Sequence, residues 1–180
     1  MRSRYKIIEA PEGCNIIFAT STIVDWTPLL FKDDLLDIIL QSLKFCQKEK
    51  GLEIYGYVIM PNHFHLLAGH KTRKAMPGII RDMKKHTAKE IIKYLKGLGT
   101  YGEMPWIRPF HAEKPSMVWQ PGYHPQAVFS QPVFSEKLKY IHGNPVKQGF
   151  VERPEHWKYS SARNYILDDH SLVVLDTERL

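Results

Sequence analysis

The order of hydrophobic patterns along the chain predicts an α+β fold. It is a split βαβ arrangement in which four antiparallel strands carry helices on one face. Three observations predict it. Short runs rich in β-branched and aromatic residues alternate with longer segments of helical period, in the order strand, helix, strand, strand, helix, strand. The second and third strand runs are separated only by Pro61-Asn62, a turn signal that makes them a hairpin. A last helical segment follows the fourth strand. At 180 residues, 43% hydrophobic and 24% charged, the chain is expected to form one domain over 1–180. Its core spans about 15–165, with a short tail at 166–180. A chain of this length needs no disulfide or structural metal to bury a core.

Asn15 to Trp26 (NIIFATSTIVDW) is the first strand, closed by Thr27-Pro28. From Leu29 to Lys50 the period changes, with Leu35/Leu36, Ile39, Leu43 and Cys46 at helical spacing. Asp33 and Asp34 sit near the positive end of that helix, Lys48 and Lys50 near the other, and Gly51 ends it. Leu52 to Met60 is the second strand and His63 to His70 the third. Met76 to Lys96 is a second helix, with Ile79/Ile80, Met83, Ala88, Ile91/Ile92 and Leu95 on its apolar side. Thr100 to Met117, with Gly102 and three prolines, has no period and is expected to be a long loop. Val118 to Phe129 is an interrupted fourth strand. A third helix runs from Ser130 to about Gly143, opened by Gln131-Pro132 and ended by Pro145.

Charge and composition narrow the function classes. There are 25 Lys+Arg against 19 Asp+Glu, a net +6, which favours a polyanionic partner only weakly. No apolar run approaches the ~18 residues of a membrane span. The N-terminus, MRSRYKIIEAPEG, lacks the apolar core of a secretory signal. Cys14 and Cys46 are expected to be buried thiols of a cytoplasmic protein.

Candidate chemistry begins with His63-Phe64-His65. Side chains alternate along a strand, so the two imidazoles share one face while Phe64 and Leu66 point the other way into the core. His70 falls on the opposite face by parity. Two neutral imidazoles so placed can share a divalent ion, or stand as ordinary polar-face histidines. Tyr140 and Asn144 are spaced i and i+4 and meet at a helix end. The tyrosine is either half-buried packing or a nucleophile, which at a free pKa of ~10 needs help to attack phosphorus. Asn144 is either a third ligand or a helix stop before proline. The second helix carries Lys85, Lys89, Lys93 and Lys96 at helical spacing, joined by Arg81, Lys84 and His86, with only Asp82 and Glu90 interrupting. That stripe is either a solvated face or a seat for a phosphate backbone. Trp106, Trp119, Tyr123, Trp157, Tyr159 and Tyr165 are permissive for base stacking.

These segments together resemble a known family. Tyr55 to Leu67 (YGYVIMPNHFHLL) resembles the histidine–hydrophobic–histidine block of single-tyrosine HUH transposases. Tyr140 to Val151 (YIHGNPVKQGFV), then Pro154 to Tyr165 (PEHWKYSSARNY), resembles the C-terminal signature of the REP-associated tyrosine transposases. Trp119 to Val128 (WQPGYHPQAV) is similar to the strand before the catalytic helix in that branch.

The resemblance implies a ferredoxin-like fold and cleavage of single-stranded or hairpin DNA. His63 and His65 match the metal-binding pair, Asn144 the polar ligand, and Tyr140 the nucleophile, carried on a C-terminal helix. The implied cofactor is Mg²⁺ or Mn²⁺, and the implied intermediate a 5′-phosphotyrosine. DNA contacts are expected from Arg81, Lys84, Lys85, Lys89, Lys93 and Lys147. Both a homodimer and a monomer fit. Phe129-Ser130-Gln131 lacks the basic residue that often follows this strand. Two alternatives accompany this reading. One is a non-catalytic hairpin-binding protein derived from a transposase. The other is an HUH nickase of replication or plasmid transfer, a class that often carries paired tyrosines or a third histidine.

Overall fold

The computed structural model describes residues 15–99, 117–122 and 125–176. At the centre of the sheet, β1 (Ile16–Thr22) pairs antiparallel with β3 (His63–Gly69), from Ile16 opposite Gly69 to Thr22 opposite His63. β2 (Glu53–Ile59) forms the expected hairpin with β3, with a bulge between Ile54 and Gly56. β4 is only Gln126–Ala127 and pairs antiparallel with β1. The order β2-β3-β1-β4 is that of a split βαβ sheet.

The first strand is shorter than its composition predicts. After Ile23 the chain turns away, and Asp25 and Trp26 both adopt φ 56°. Leu29 and Leu30 are buried but not helical, because the Leu30 amide bonds the Pro61 carbonyl at 2.8 Å. Helix α1 therefore starts at Asp33 and ends at Lys50, capped by Gly51 with φ +65° as its position predicts. Most of the segment predicted as a fourth strand follows β1 without pairing continuously. Gln120 bonds Thr22 at one end and Val128 bonds Ile16 at the other.

Helices α1 and α2 (Met76–Gly97) pack on one sheet face, where Phe64, Leu66 and Ala68 of β3 meet Ile39, Leu43, Ile80 and Ile91. The other face is covered as well, which the sequence pattern did not predict. Helix α3 (Gln131–Lys147) lays Phe134 and Ile141 against Phe18, Val58 and Leu67. It passes close over Gly56, where an added Cβ would lie 2.7 Å from Leu138 Cδ1 and that side chain would have to shift. Ser130 caps α3 by accepting from the Val133 amide. Pro145 does not end this helix. It is buried within the last turn, the Gln148 amide still reaches the Asn144 carbonyl at 3.1 Å, and Gly149 at φ +75° turns the chain away. A proline removes one helix hydrogen bond, a loss that packing on the sheet offsets here.

The free edge of β2 is occupied. Ile59 donates to the Tyr159 carbonyl, Ser161 to the Tyr57 carbonyl, and Asp176 to the Ile54 carbonyl, each at 2.9 Å. A short helix α4 (Ala162–Leu167) follows, and Val173 and Leu175 of the tail enter the core. Of the loop predicted over Thr100 to Met117 all but Met117 lies outside the described residues, as do Cys14, Trp106 and Tyr123; Cys46 is buried and unpaired among the described residues. Among the described residues no helix is long and apolar enough to cross a membrane.

His142 ties α3 to the segment along β2, its Nε2 lying 3.0 Å from Ser161 Oγ. Burial lowers its pKa from 6.5 to about 4, so folding favours the neutral ring. The unfolded chain then binds more protons between those values. The stabilisation is present above 6.5 and is lost as pH falls toward 4, worth on the order of 3 kcal/mol. Urea unfolding across that range should show a steeper loss in the wild type than in His142→Gln. Identical slopes would refute the assignment.

Candidate active site

Strand alternation turns His63 and His65 toward α3, while Phe64 enters the core against Trp119. Their ring centroids are 4.7 Å apart, and the residues are only 2% and 4% exposed. Thr20 faces His65 directly across the β1–β3 pair, and its Oγ1 lies 2.8 Å from His65 Nδ1. Asn62, in the turn before β3, places Oδ1 2.6 Å from His63 Nδ1. Its amide nitrogen donates to the Trp26 carbonyl, which fixes Oδ1 as the atom facing the ring. With Oδ1 facing the ring, the tautomer that suits this contact has the proton on His63 Nδ1 and a lone pair on Nε2.

Burial holds both rings neutral. Desolvation lowers His63, and desolvation together with the neighbouring His63 takes His65 to about 3. Neutral imidazoles whose Nδ1 atoms are engaged by oxygens are the form that ligates a cation. Asn144 reaches in from α3, with Nδ2 3.2 Å from His65 Nε2. Its Oδ1 is buried and has no hydrogen-bond partner among the described residues, and a half-turn of the amide exchanges the two atoms. An orphaned amide oxygen beside two imidazole nitrogens fits a divalent cation. Among the described residues no group of three or more His, Cys, Asp or Glu is gathered. Asn144 is placed so that its amide oxygen could complete such a pair.

Tyr140 lies one turn before Asn144, and its ring centroid is 5.1 Å from that of His65. Phe18 supports both rings, stacked on His65 at 5.4 Å and edge-on to Tyr140 at 5.9 Å. Tyr140 remains 47% exposed, so its hydroxyl is open to an incoming group. Lys137 Nζ sits 5.4 Å from the Phe18 ring centroid. Phenol, imidazole pair and amide come from a single chain.

The family described as "Transposase IS200 like" matches residues 27–144, about two thirds of the chain. The chain belongs to the IS200-like transposase family. Among solved structures, a REP-associated tyrosine transposase bound to a REP hairpin matches this chain with a TM-score of 0.64 at 19% identity. That likeness covers 97% of this chain and 90% of the other, so the four-stranded α+β fold is shared. A provisionally assigned transposase from Deinococcus radiodurans R1 matches with a TM-score of 0.47 at 17% identity, over 78% and 95% of the two chains. No curated protein matches the transposase sequence.

The basic residues of α2 lie across the sheet from the imidazole pair. Lys85, Lys89 and Lys93 are exposed, Lys93 3.9 Å from Glu90 and Arg81 paired to Asp82 at 3.1 Å. Lys84 does not join this stripe. Its ammonium donates to the Gln120 and Gly122 carbonyls, and burial lowers its pKa to about 8. Arg81, Lys84, Lys85 and Lys89 border a groove of about 770 Å³ between α2 and 117–122, which Tyr140 does not line. Lys147 is exposed at the end of α3. His70 bonds Thr72 and stays out of the site, as parity predicts. Sequence reasoning missed Thr20, Asn62, Lys137 and Trp26. Only Asn62 carried a signal, as part of the turn before the histidines. Of the stacking aromatics it named, Trp119 is buried with Nε1 bonded to Thr87, and Trp157 bonds the Ile59 carbonyl.

Proposed function

We propose that this transposase cuts and rejoins single-stranded DNA at hairpin sites through Tyr140, as a member of the REP-associated branch. The observation that carries this reading is the meeting of a solvent-open phenol with two neutral imidazoles and an unpartnered amide oxygen in one chain. The Tyr140 oxygen attacks the scissile phosphorus, a tyrosine–phosphorus bond forms, and the bond to the 3′ oxygen breaks. The phenolic proton passes to water, and the departing 3′ oxygen takes a proton from water to leave as a 3′-hydroxyl. The new link keeps the phosphodiester bond energy, so a second 3′-hydroxyl can reverse the step and join another strand without a nucleotide cofactor. Mg²⁺ or Mn²⁺ bound by His63, His65 and Asn144 would supply Lewis-acid stabilisation of phosphate charge. Phe18 holds the phenol in position, and Lys137, one turn earlier on α3, adds positive charge nearby.

The fold likeness to a protein bound to a REP hairpin supports the choice of substrate. A synthetic hairpin with a single-stranded flank, incubated with protein and Mn²⁺, should give a detergent-stable protein–DNA adduct that chelator prevents. Tight hairpin binding with no adduct under any divalent metal would instead favour the binding-module reading.

Arg81, Lys85, Lys89, Lys93 and Lys147 are proposed to hold the phosphate backbone. Each neutralised phosphate contributes about 0.7 to 0.9 to the slope of log affinity against log salt. Replacing Lys85, Lys89 and Lys93 by Gln should lower the slope by about 2 to 3 and weaken binding to all sequences alike. An unchanged slope would remove α2 from the interface.

A further inference from the structure

Asp25 and Trp26 are consecutive non-glycine residues in left-handed backbone, φ 56° at each. Such residues adopt that conformation only where neighbours impose it. The neighbours here are specific. The Ile23 amide bonds the Asn62 carbonyl at 2.8 Å, Val24 the Val118 carbonyl at 2.9 Å, and Trp26 the Ile23 carbonyl at 3.1 Å. Ile23, Val24 and Thr27 are buried around the turn, yet Trp26 is 57% exposed. Its ring stands edge-on to His63 at 5.8 Å, and its carbonyl accepts from the same Asn62 that orients His63. What sets Trp26 apart is its place: the turn presents the ring to solvent directly beside the imidazole pair.

We propose that Trp26 is a stacking platform for one unpaired base next to the scissile phosphate. The inference rests on the Tyr140 reading and deepens it by naming how the substrate is seated. An indole face accepts any base but overlaps purines most, so the platform biases the flanking nucleotide without reading its edges. Rigidity of the turn means that little ordering is needed when the base arrives.

The test uses Tyr140→Phe protein, so that binding is measured without chemistry. A hairpin oligonucleotide with a single-stranded flank is scanned with one abasic site at each flank position, and affinity is read by fluorescence anisotropy. With Trp26 present, one position should weaken binding about 5- to 100-fold when abasic. With Trp26→Ala added, that position should matter no more than about twofold, and Trp26→Tyr should restore the dependence. Equal abasic losses with and without Trp26, or a change confined to self-association, would overturn this inference alone. Absence of any oligonucleotide binding by Tyr140→Phe protein would overturn the proposed function itself.

Discussion

Tyr140→Phe is expected to abolish covalent capture of single-stranded DNA, with cleavage falling by at least about 1,000-fold while hairpin affinity changes less than about twofold. The reasoning is local. Phenylalanine keeps the ring that packs against Phe18 and His65, so α3 is not disturbed. The hydroxyl alone is lost, and it makes no hydrogen bond with another described residue. An interaction made only as the new bond forms lowers turnover and leaves binding intact. Gel analysis of boiled, detergent-treated mixtures with labelled oligonucleotide measures the adduct directly. An undiminished yield in the variant would place the nucleophile elsewhere.

The second large effect is expected at the imidazole pair. His63→Ala/His65→Ala should lose divalent-dependent cleavage by at least about 100-fold, the scale already reached when residues merely supporting metal ligands are changed. Both rings are buried, so the double variant also loses packing, on the order of 2–4 kcal/mol at each site. A folded-state check by circular dichroism is needed for that reason, with Asn144→Ala as the milder companion. Paramagnetic resonance of added Mn²⁺ provides a readout independent of turnover. The wild type should bind one ion per chain, and the double variant none. Full binding in the double variant, or cleavage by wild type in excess chelator, would exclude this site as the metal centre.

Much of the fold was legible because the strong signals were local and periodic. The Phe64/Leu66 core face, the α1 stripe ending at Gly51 and the β2–β3 hairpin all follow from spacing in one element. What failed depended on tertiary contacts. Pro145 reads as a helix stop in isolation, yet burial against the sheet carries α3 through it. Trp26 reads as the end of a strand, but hydrogen bonds from Asn62 and Val118 around it impose a left-handed turn. The α3 face of the sheet could not be assigned, because nothing within residues 130–147 states which side of β3 they will cover.

The candidate site divides in the same way. Parity placed His63 and His65 together, and helical spacing placed Tyr140 with Asn144. Their meeting depends on α3 packing over the sheet face that carries the imidazoles, which no local pattern encodes. Lys84 illustrates the opposite error. Its spacing matches the basic stripe, but its ammonium is spent on two backbone carbonyls of the turn at 120–122.

The occupied β2 margin constrains assembly. Many proteins associate by extending one sheet into another, strand against strand, using unsatisfied amides at the border. Here residues 159–161 and Asp176 already take those amides and carbonyls. Two copies cannot merge into one continuous eight-stranded layer through that side without first peeling away the chain's own C-terminal segment. Should this protein dimerise by that route, release of its tail would be the gate.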